Sequence, residues 1–441
     1  MPHGGFVLRA REMFRSGSYG RCHVSHLHGT VNVEAEPMEH PKLRYGLDAV
    51  PIHHEGRPYI LLRDRLGYND NPVLLNADFA PFLALMDGRH SVRDIQAFFL
   101  RRTGRLIYSE QIEEVIRVLD ENLFLDNARY ADHVRREVQR FCDDPVRRMR
   151  HAGKSYPQPA EELRAFLDAL FAAGPGNRAE PRPLVGLVAP HIDIRAGAAT
   201  FACAYTALRQ AEPPDVWVIV GTGHEPIENF FAVTFKDFET PLGLVPCDRD
   251  LAEEIVRRTP RDVRAGEYAH SREHTIEFQA VFLAYVQPTA RIVPVLCSFG
   301  VEDWSSHKAA IDGFCDGLRE ALEPSGASVG VLASVDLAHI GPRYGDDFLP
   351  NRLTVQEHLE ADRKLLRTLE APDPDAFMAE ILKDGNARKV CGVPPLYVLS
   401  RVLRDKARGR VLHHDHAVVD RQGSFVTFAA VAYYGEGLAE S

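Results

Sequence analysis

The chain has 441 residues, of which 45% are hydrophobic and 26% charged, a composition typical of soluble globular proteins and long enough for two or three domains. Its formal net charge of −10 argues against a nucleic-acid-binding surface, and we find neither a secretory signal nor an apolar run of the roughly 18 residues that cross a bilayer. Seven cysteines do not suggest a disulfide framework here, so we expect a cytoplasmic protein with reduced thiols, no nucleic-acid partner and no membrane contact.

The first 128 residues are predicted to comprise a leader and a small domain. Residues 1–40 are rich in Gly, His and Arg and lack periodicity, so we expect a flexible or loosely docked leader. Residues 41–128 resemble the winged-helix unit of PqqD-like peptide-binding domains, although a purely structural or dimerising appendage is an equal alternative. The elements behind this resemblance are a strand, a short helix, two serine-capped helices and a wing strand: Tyr59–Arg63, Asp78–Met86, the helices after Ser91 and Ser109, and Leu123–Leu125.

A charged connecting helix is predicted over residues 129–147, and a second domain over residues 148–436. In that domain continuous apolar strands alternate with helices, which predicts an α/β fold whose mostly parallel sheet is covered by helices on both faces. The predicted strands are Leu184–Ala189, Val216–Val220, Arg291–Leu296 and Val329–Ser334. The predicted helices are Gly197–Gln210, Asp250–Arg258, His274–Tyr285 and His307–Leu322.

Three of these strands run directly into chemically useful residues. The first is followed by His191 and Asp193, the second by His224, and the fourth by Asp336 and His339. Ligands of open α/β sheets bind outside the carboxyl ends of the strands, so these side chains are predicted to share one crevice. A single histidine at a strand end is more often a hydrogen-bonded structural residue, but three in the same topological position favour a functional cluster.

Cys391 is predicted to lie at the N-terminus of a helix. Backbone N–H groups and the helix dipole would then lower its pKa and favour the thiolate, which binds metals or acts as a nucleophile. The alternative is a small buried hydrophobic residue, which is the role we assign to Cys203, Cys297 and Cys315.

His274 and Glu277 open a predicted helix at i, i+3 spacing, which places them on one face. The glutamate that H-E-x-x-H requires after its first histidine is missing, so a metalloprotease site is not indicated. We expect His274 either to support a ligand of the site or to act as an acid or base, with Glu277 orienting it; a helix-capping polar group facing solvent is the alternative. Phosphate-binding loops and the G-x-S-x-G elbow are absent from the sequence.

The second domain resembles the Memo family, whose bacterial members are called the B component of the AmmeMemoRadiSam system. The resemblance runs in order through short motifs over almost the whole domain. These motifs are His151–Tyr156, Ala189–His191, Gly221–His224, Thr240–Gly243, Glu273–Glu277, Ile292–Leu296, Ser334–Asp336 with His339, Cys391–Gly392 and Gly423–Ala430.

The resemblance implies a fold related to class III extradiol dioxygenases and a mononuclear metal site formed by His191, His224 and Cys391. Two imidazoles and a thiolate suit iron or copper best, with zinc as an alternative, and leave a coordination position open. His339, His274 and Asp336 would be catalytic. Asp193 and Glu277 would not bind the metal themselves but would orient residues of the site. Asp193 and Ile194 replace a glycine and an aromatic residue of the family pattern, which bears on the substrate more than on the metal.

Two functional hypotheses follow. The first is a metal-dependent redox or dioxygenase-like enzyme that acts on a small molecule or peptide. The second is a non-enzymatic module that binds a peptide or a partner, such as the radical-SAM protein that the name of the bacterial system implies.

Overall fold

A computed structural model of the protein describes residues 7–9, 38–175, 182–323 and 328–435, which form two compact units divided after Arg140. The first unit contains an antiparallel sheet with the strand order β1-β4-β3-β2. Its strands are β1 (Val7–Arg9), β2 (Leu47–His54), β3 (Arg57–Asp64) and β4 (Val73–Asn76). Its helices are α1 (Ala80–Leu83), α2 (Val92–Thr103), α3 (Ser109–Glu121) and the start of α4 (Ala128–Asp143).

Two predictions for this unit are confirmed, and a third is not. The strand at Tyr59–Arg63 lies within β3, and the Ser91 side chain caps α2 by accepting a hydrogen bond from the backbone N–H of Asp94. Ser109, by contrast, is the first residue of α3 rather than its cap, and its hydroxyl accepts from the Gln96 amide.

Two other elements of this unit differ from prediction. The helix predicted over Asp78–Met86 is a single 3₁₀ turn followed by the four-residue α1. The prediction of a wing strand over Leu123–Leu125 was wrong. Leu123 has a φ of +61°, which is not an extended conformation, and Leu125 forms only an isolated bridge with Leu43. The likeness to PqqD-like domains stays a prediction, and most of the leader, residues 1–6 and 10–37, lies outside the described residues.

The charged helix α4 ends at Asp143, earlier than predicted, and the short strand β5 (Val146–Arg147) follows. Arg147 is not part of a solvated helix but is 1% exposed. Burial of an arginine requires a counter-charge, which Glu277 provides.

The second unit is built on an eight-stranded sheet. Seven of its strands follow the order β13-β15-β6-β12-β7-β11-β8, and the eighth, β14, pairs with β15. Its strands are β6 (Leu184–Ala189), β7 (Val216–Thr222), β8 (Phe231–Val233), β11 (Arg291–Cys297), β12 (Val329–Ser334), β13 (His339–Ile340), β14 (Ala407–Val418) and β15 (Phe425–Gly435). A small sheet joins β5 to β9 (Asp237–Thr240) and β10 (Gly243–Val245).

Helices cover both faces of the large sheet. On one face α5 (Ala160–Ala173), α6 (Ala198–Gln210) and α8 (Thr275–Val286) contribute buried apolar side chains to one core. On the other face, five helices contribute to a second core: α7 (Arg249–Arg258), α9 (Val301–Leu322), α10 (Arg352–Glu370), α11 (Pro374–Leu382) and α12 (Val393–Leu403). Strand β7, entirely buried and rich in β-branched residues, lies between the two cores.

The predicted α/β fold class is confirmed, and the four predicted strands correspond to β6, β7, β11 and β12. These four are mutually parallel in the order β6-β12-β7-β11, while β8, β13, β14 and β15 add antiparallel pairings at the two sides. The sheet is therefore mixed, with a parallel centre. Every helix within the described ranges is too short or too polar to cross a lipid bilayer.

Candidate metal centre

The parallel centre of the sheet determines where the candidate ligands lie. His191 follows β6 and His224 follows β7, so both rings emerge at the carboxyl edge of the sheet with centroids 5.1 Å apart. Cys391 comes from the loop before α12, and its Sγ lies 3.4 Å from His191 Nε2. One nitrogen or sulfur atom from each of these three residues lies within 4.8 Å of the other two.

Hydrogen bonds fix which nitrogen each imidazole presents. His191 Nδ1 lies 3.1 Å from the carbonyl oxygen of Ser334, and His224 Nδ1 lies 3.1 Å from Glu273 Oε2. Because a carbonyl and a carboxylate only accept hydrogen bonds, both Nδ1 atoms carry a hydrogen, which leaves Nε2 as the nitrogen that each ring can offer to a metal ion once it is deprotonated. Metal-binding histidines are oriented in this way in proteins generally.

The two histidines differ in exposure and charge. His191 is buried, and burial together with the positive charge of His224 holds its pKa well below the usual range. The His224 side chain is 41% exposed. Burial of its inner part lowers its pKa, but hydrogen bonds to Cys391 and Glu273 outweigh that effect and raise the pKa to about 11.

The loop carrying Cys391 packs closely against the end of β12. Gly392 donates a 3.1 Å hydrogen bond to the carbonyl oxygen of Asp336, and a Cβ at this position would lie 2.7 Å from Val335. The helix α12 begins at Val393, and burial raises the pKa of Cys391, so the predicted lowering by the helix N-terminus was wrong. The thiolate therefore needs the positive charge of a neighbouring ion or imidazolium.

Asp336 and His339, both predicted catalytic residues, lie at the same edge. Asp336 accepts hydrogen bonds from the backbone N–H groups of His191 and Ile192, and its Oδ2 lies 3.7 Å from His191 Nε2. Burial raises its pKa to about 6. His339 Nδ1 lies 3.0 Å from the carbonyl oxygen of Leu337, and burial lowers the pKa of His339 to about 4, so the ring is neutral at pH 7.

His274 stacks on the ring of His224 at a centroid distance of 5.2 Å and an interplanar angle of 13°. The carboxylate that contacts it is Glu273, whose Oε1 lies 3.0 Å from His274 Nδ1. The orienting role predicted for Glu277 was therefore wrong, because the Glu277 oxygens contact Arg147 and Tyr156 instead. Glu273 belongs to the same sequence motif, but the i, i+3 spacing of His274 and Glu277 favoured Glu277 as the partner.

Glu273 also completes a second group of potential ligands with His224 and His274. In that group the Glu273 carboxylate already accepts a hydrogen bond from each ring. Its oxygens therefore orient the two histidines instead of binding a metal ion. Burial raises the pKa of Glu273, but its histidine partners outweigh this effect and hold the pKa well below the usual range.

Asp193 is exposed and accepts a hydrogen bond from the backbone N–H of Arg195. That contact stabilises the turn after His191 and does not orient the ring, so the structure gives no basis for the predicted support from Asp193 among the described contacts. The predicted burial of Cys203, Cys297 and Cys315 is confirmed.

His270 lies outside the cluster and is buried, with Nε2 2.9 Å from the carbonyl oxygen of Ala232. Burial lowers its pKa from 6.5 to about 4, so folding favours the neutral ring. The resulting stability is complete above pH 6.5 and is lost as the pH falls towards 4. For the wild-type protein we expect titration of His270 to lower the free energy of unfolding by about 2 kcal/mol between pH 8 and pH 5. The His270→Gln variant, which lacks the titrating ring, should not show this loss.

The measurement is urea unfolding of both proteins at several pH values. If the wild-type protein and the variant lost stability in parallel between pH 8 and pH 5, His270 would not be the titrating group.

A buried polar network lies beneath the candidate ligands. The Gln279 amide donates to Ser334 Oγ at 2.7 Å and to the carbonyl oxygen of Pro190 at 2.9 Å, and accepts from the hydroxyl of Tyr205. Thr222 donates to the carbonyl oxygen of Cys391 at 3.3 Å. These contacts connect the ends of the strands that carry the ligands, and sequence periodicity alone could not reveal them.

A cavity of about 460 Å³ opens beside the cluster. Its lining includes both His224 and Cys391, together with residues from the turn after β7, the start of α9 and the start of α12. An organic molecule in this cavity would contact two of the three candidate ligands.

Comparisons with known proteins show which sequences this chain is similar to. A protein-family profile described as Memo-like protein matches residues 147–432. A MEMO1 family protein of Aquifex aeolicus is 28% identical over 397 residues, covering 89% of this chain and 100% of that protein. A second, from Thermus thermophilus, is 28% identical and covers 75% of this chain and 94% of that protein. A third, from Methanopyrus kandleri, is 31% identical and covers 55% and 82%, respectively.

Proposed function

Because the chain belongs to the Memo family, we propose that it is a metal-dependent enzyme whose ion is held by His191, His224 and Cys391. The Memo fold is related to that of the class III extradiol dioxygenases. We accordingly propose a redox or dioxygenase-like reaction on a small organic substrate.

One observation carries this proposal. Two imidazole Nε2 atoms and one thiol converge from three separate segments, and a hydrogen bond at Nδ1 orients each imidazole. Two nitrogens and a sulfur suit iron or copper, with zinc as an alternative. When bound, the ion would supply Lewis acidity, and iron or copper would also supply electron transfer.

The remaining residues would hold the ligands and move protons. Asp336 fixes the backbone at His191, and Glu273 holds the rings of His224 and His274. His339 is neutral at pH 7 with its Nδ1 bound to carbonyl oxygens, so its Nε2 can accept a proton from a substrate. His274 is a second candidate for acid or base catalysis.

The test is metal analysis of protein purified without oxygen. We expect about one ion per chain in the wild-type protein and almost none in His191→Ala. His53→Ala is the matched control, because His53 is an exposed histidine of the first unit. Equal metal content in wild-type protein and His191→Ala, or failure of the wild-type protein to retain any added metal, would refute the proposal.

A second candidate is a non-enzymatic function in binding a peptide or a radical-SAM protein. The large side chains that the first unit exposes favour it, since Tyr45, Leu106 and Tyr108 are 70%, 63% and 63% exposed. Such binding would survive His191→Ala, whereas the proposed catalysis would not. In either case we propose a cytoplasmic location, where the free thiol of Cys391 stays reduced.

A further inference from the structure

The backbone beside the cavity is left-handed at two successive residues. Asn229 and Phe230 have φ values of +62° and +70°, and an aromatic residue rarely adopts this left-handed conformation. Such strain persists where the surrounding structure holds it, and it is concentrated at ligand sites. Here the carbonyl oxygen of Phe230 accepts from Ser298 at 2.9 Å, and the Asn229 amide donates to Asp262 at 3.0 Å.

This strained turn makes Phe230 part of the cavity wall. The ring is supported by His307, whose centroid is 5.0 Å away, and by the Arg261 guanidinium at 5.8 Å. The lining includes further apolar residues, among them Ile227, Phe299, Val301, Val393 and Pro394. A wall of this composition favours an apolar or aromatic molecule over a highly polar one.

The acidic residues of the lining disfavour ligands that carry a negative charge. Glu302 and Asp303 belong to it, and among the described residues neither a lysine nor an arginine does. Both carboxylates lie in the first turn of α9, where they offset the positive end of the helix dipole. Apart from His224, which must give up its extra proton to bind an ion, the lining offers an anionic group no basic side chain to offset the loss of water.

We propose that this cavity is the substrate subsite of the metal centre and binds a small organic molecule with a ring-sized apolar body and a neutral or cationic substituent. This inference rests on the proposed function, since His224 and Cys391 belong to both sites. It adds a substrate class and assigns Phe230 and Glu302 as residues that determine specificity.

The inference can be tested with metal-binding probes that differ only in their tails. Acetohydroxamic acid reports on the metal alone, and benzohydroxamic acid adds a ring. The 4-aminomethyl and 4-carboxy derivatives of benzohydroxamic acid add a positive or a negative charge. Calorimetry on the metal-loaded protein is expected to show about tenfold tighter binding with the ring, and about tenfold weaker binding of the carboxylate than of the amine.

Variants separate the two determinants. Phe230→Ala should reduce the advantage of the ring about tenfold without changing the affinity for acetohydroxamic acid, while Phe230→Leu should retain most of that advantage. Glu302→Gln should reduce the difference in binding affinity between the amine probe and the carboxylate probe. Glu320→Gln, on the same helix but outside the cavity and exposed, should leave it unchanged.

Two results would overturn the inference while the metal site stands. The first is an unchanged ratio of benzohydroxamic to acetohydroxamic acid affinity in folded Phe230→Ala protein. The second is binding of the carboxylate probe, or of phenyl phosphate, as tight as that of the amine. If acetohydroxamic acid does not bind the metal-treated protein at all, the proposed function fails first and the inference falls with it.

Discussion

Replacement of Glu277 by Leu is expected to lower the free energy of unfolding by about 3–5 kcal/mol, because it leaves the Arg147 guanidinium buried without a counter-charge. The two side chains are 1% and 0% exposed and form a direct ion pair. Burial opposes ionisation of Glu277, but Arg147 and further hydrogen-bond donors outweigh this cost and lower its pKa. Urea unfolding at pH 7 measures the change.

Glu277 also fastens the segment that opens the second unit. Its oxygens accept hydrogen bonds from the Tyr156 hydroxyl at 2.5 Å and from the backbone N–H of His151 at 2.9 Å. The His151–Tyr156 motif is thereby explained as an anchor of this segment on α8. We expect Glu277→Leu to make residues 147–156 more accessible to proteolysis as well.

Two controls isolate the buried charge. In the double variant Arg147→Met with Glu277→Leu, both charges are removed, and its stability is expected to exceed that of Glu277→Leu alone. Glu360→Gln breaks an exposed pair with Arg363 and should have a much smaller effect. A loss below about 1 kcal/mol in Glu277→Leu would mean that water or another acid compensates for Arg147.

Replacement of Glu273 by Gln is expected to weaken metal binding by about 10–100-fold, the effect usual for residues that orient metal-binding histidines. Glu273 accepts from His224 Nδ1 and from the backbone N–H of His224 at 3.0 Å, and it also contacts His274 Nδ1. A glutamine has one acceptor oxygen in place of two and loses the negative charge. It therefore cannot hold both rings.

Competition with a chromophoric chelator measures this affinity in the wild-type protein and the variant. Glu228→Gln serves as a control, because Glu228 is an exposed glutamate in the turn that follows His224. Unaltered affinity in Glu273→Gln, with His191→Ala still devoid of metal, would show that His224 is oriented by other contacts.

Much of the fold could be read from the sequence where burial on both faces leaves continuous apolar strands. Leu184–Ala189 and Val329–Ser334 were predicted with their observed limits. The direction of strands at the sides of the sheet could not be predicted in this way. Strand β14, which forms an antiparallel hairpin with β15, is only partly buried. Its sequence therefore mixes polar and apolar residues and lacks a continuous apolar run.

The candidate site was accessible to sequence reasoning to different degrees. His191 and His224 follow predicted strands, so topology alone brought them together. Cys391 could be placed beside these histidines only through the resemblance to a family, since a loop 200 residues away carries no periodic signal. The role of Glu273 was missed because the backbone turns at the start of α8, and its carboxylate folds back to the N–H groups of His274 and Thr275.

The position of β15 has a consequence for biosynthesis. This strand lies beside β6, whose end carries His191, and among the described strands it is synthesised last. Until then β6 lacks one neighbour, so a nascent chain can hold the centre of the sheet without completing the domain. For the proposed metal centre, capture of the ion should therefore wait until β15 has paired with β6, and a chain stalled before Phe425 should not yet hold it.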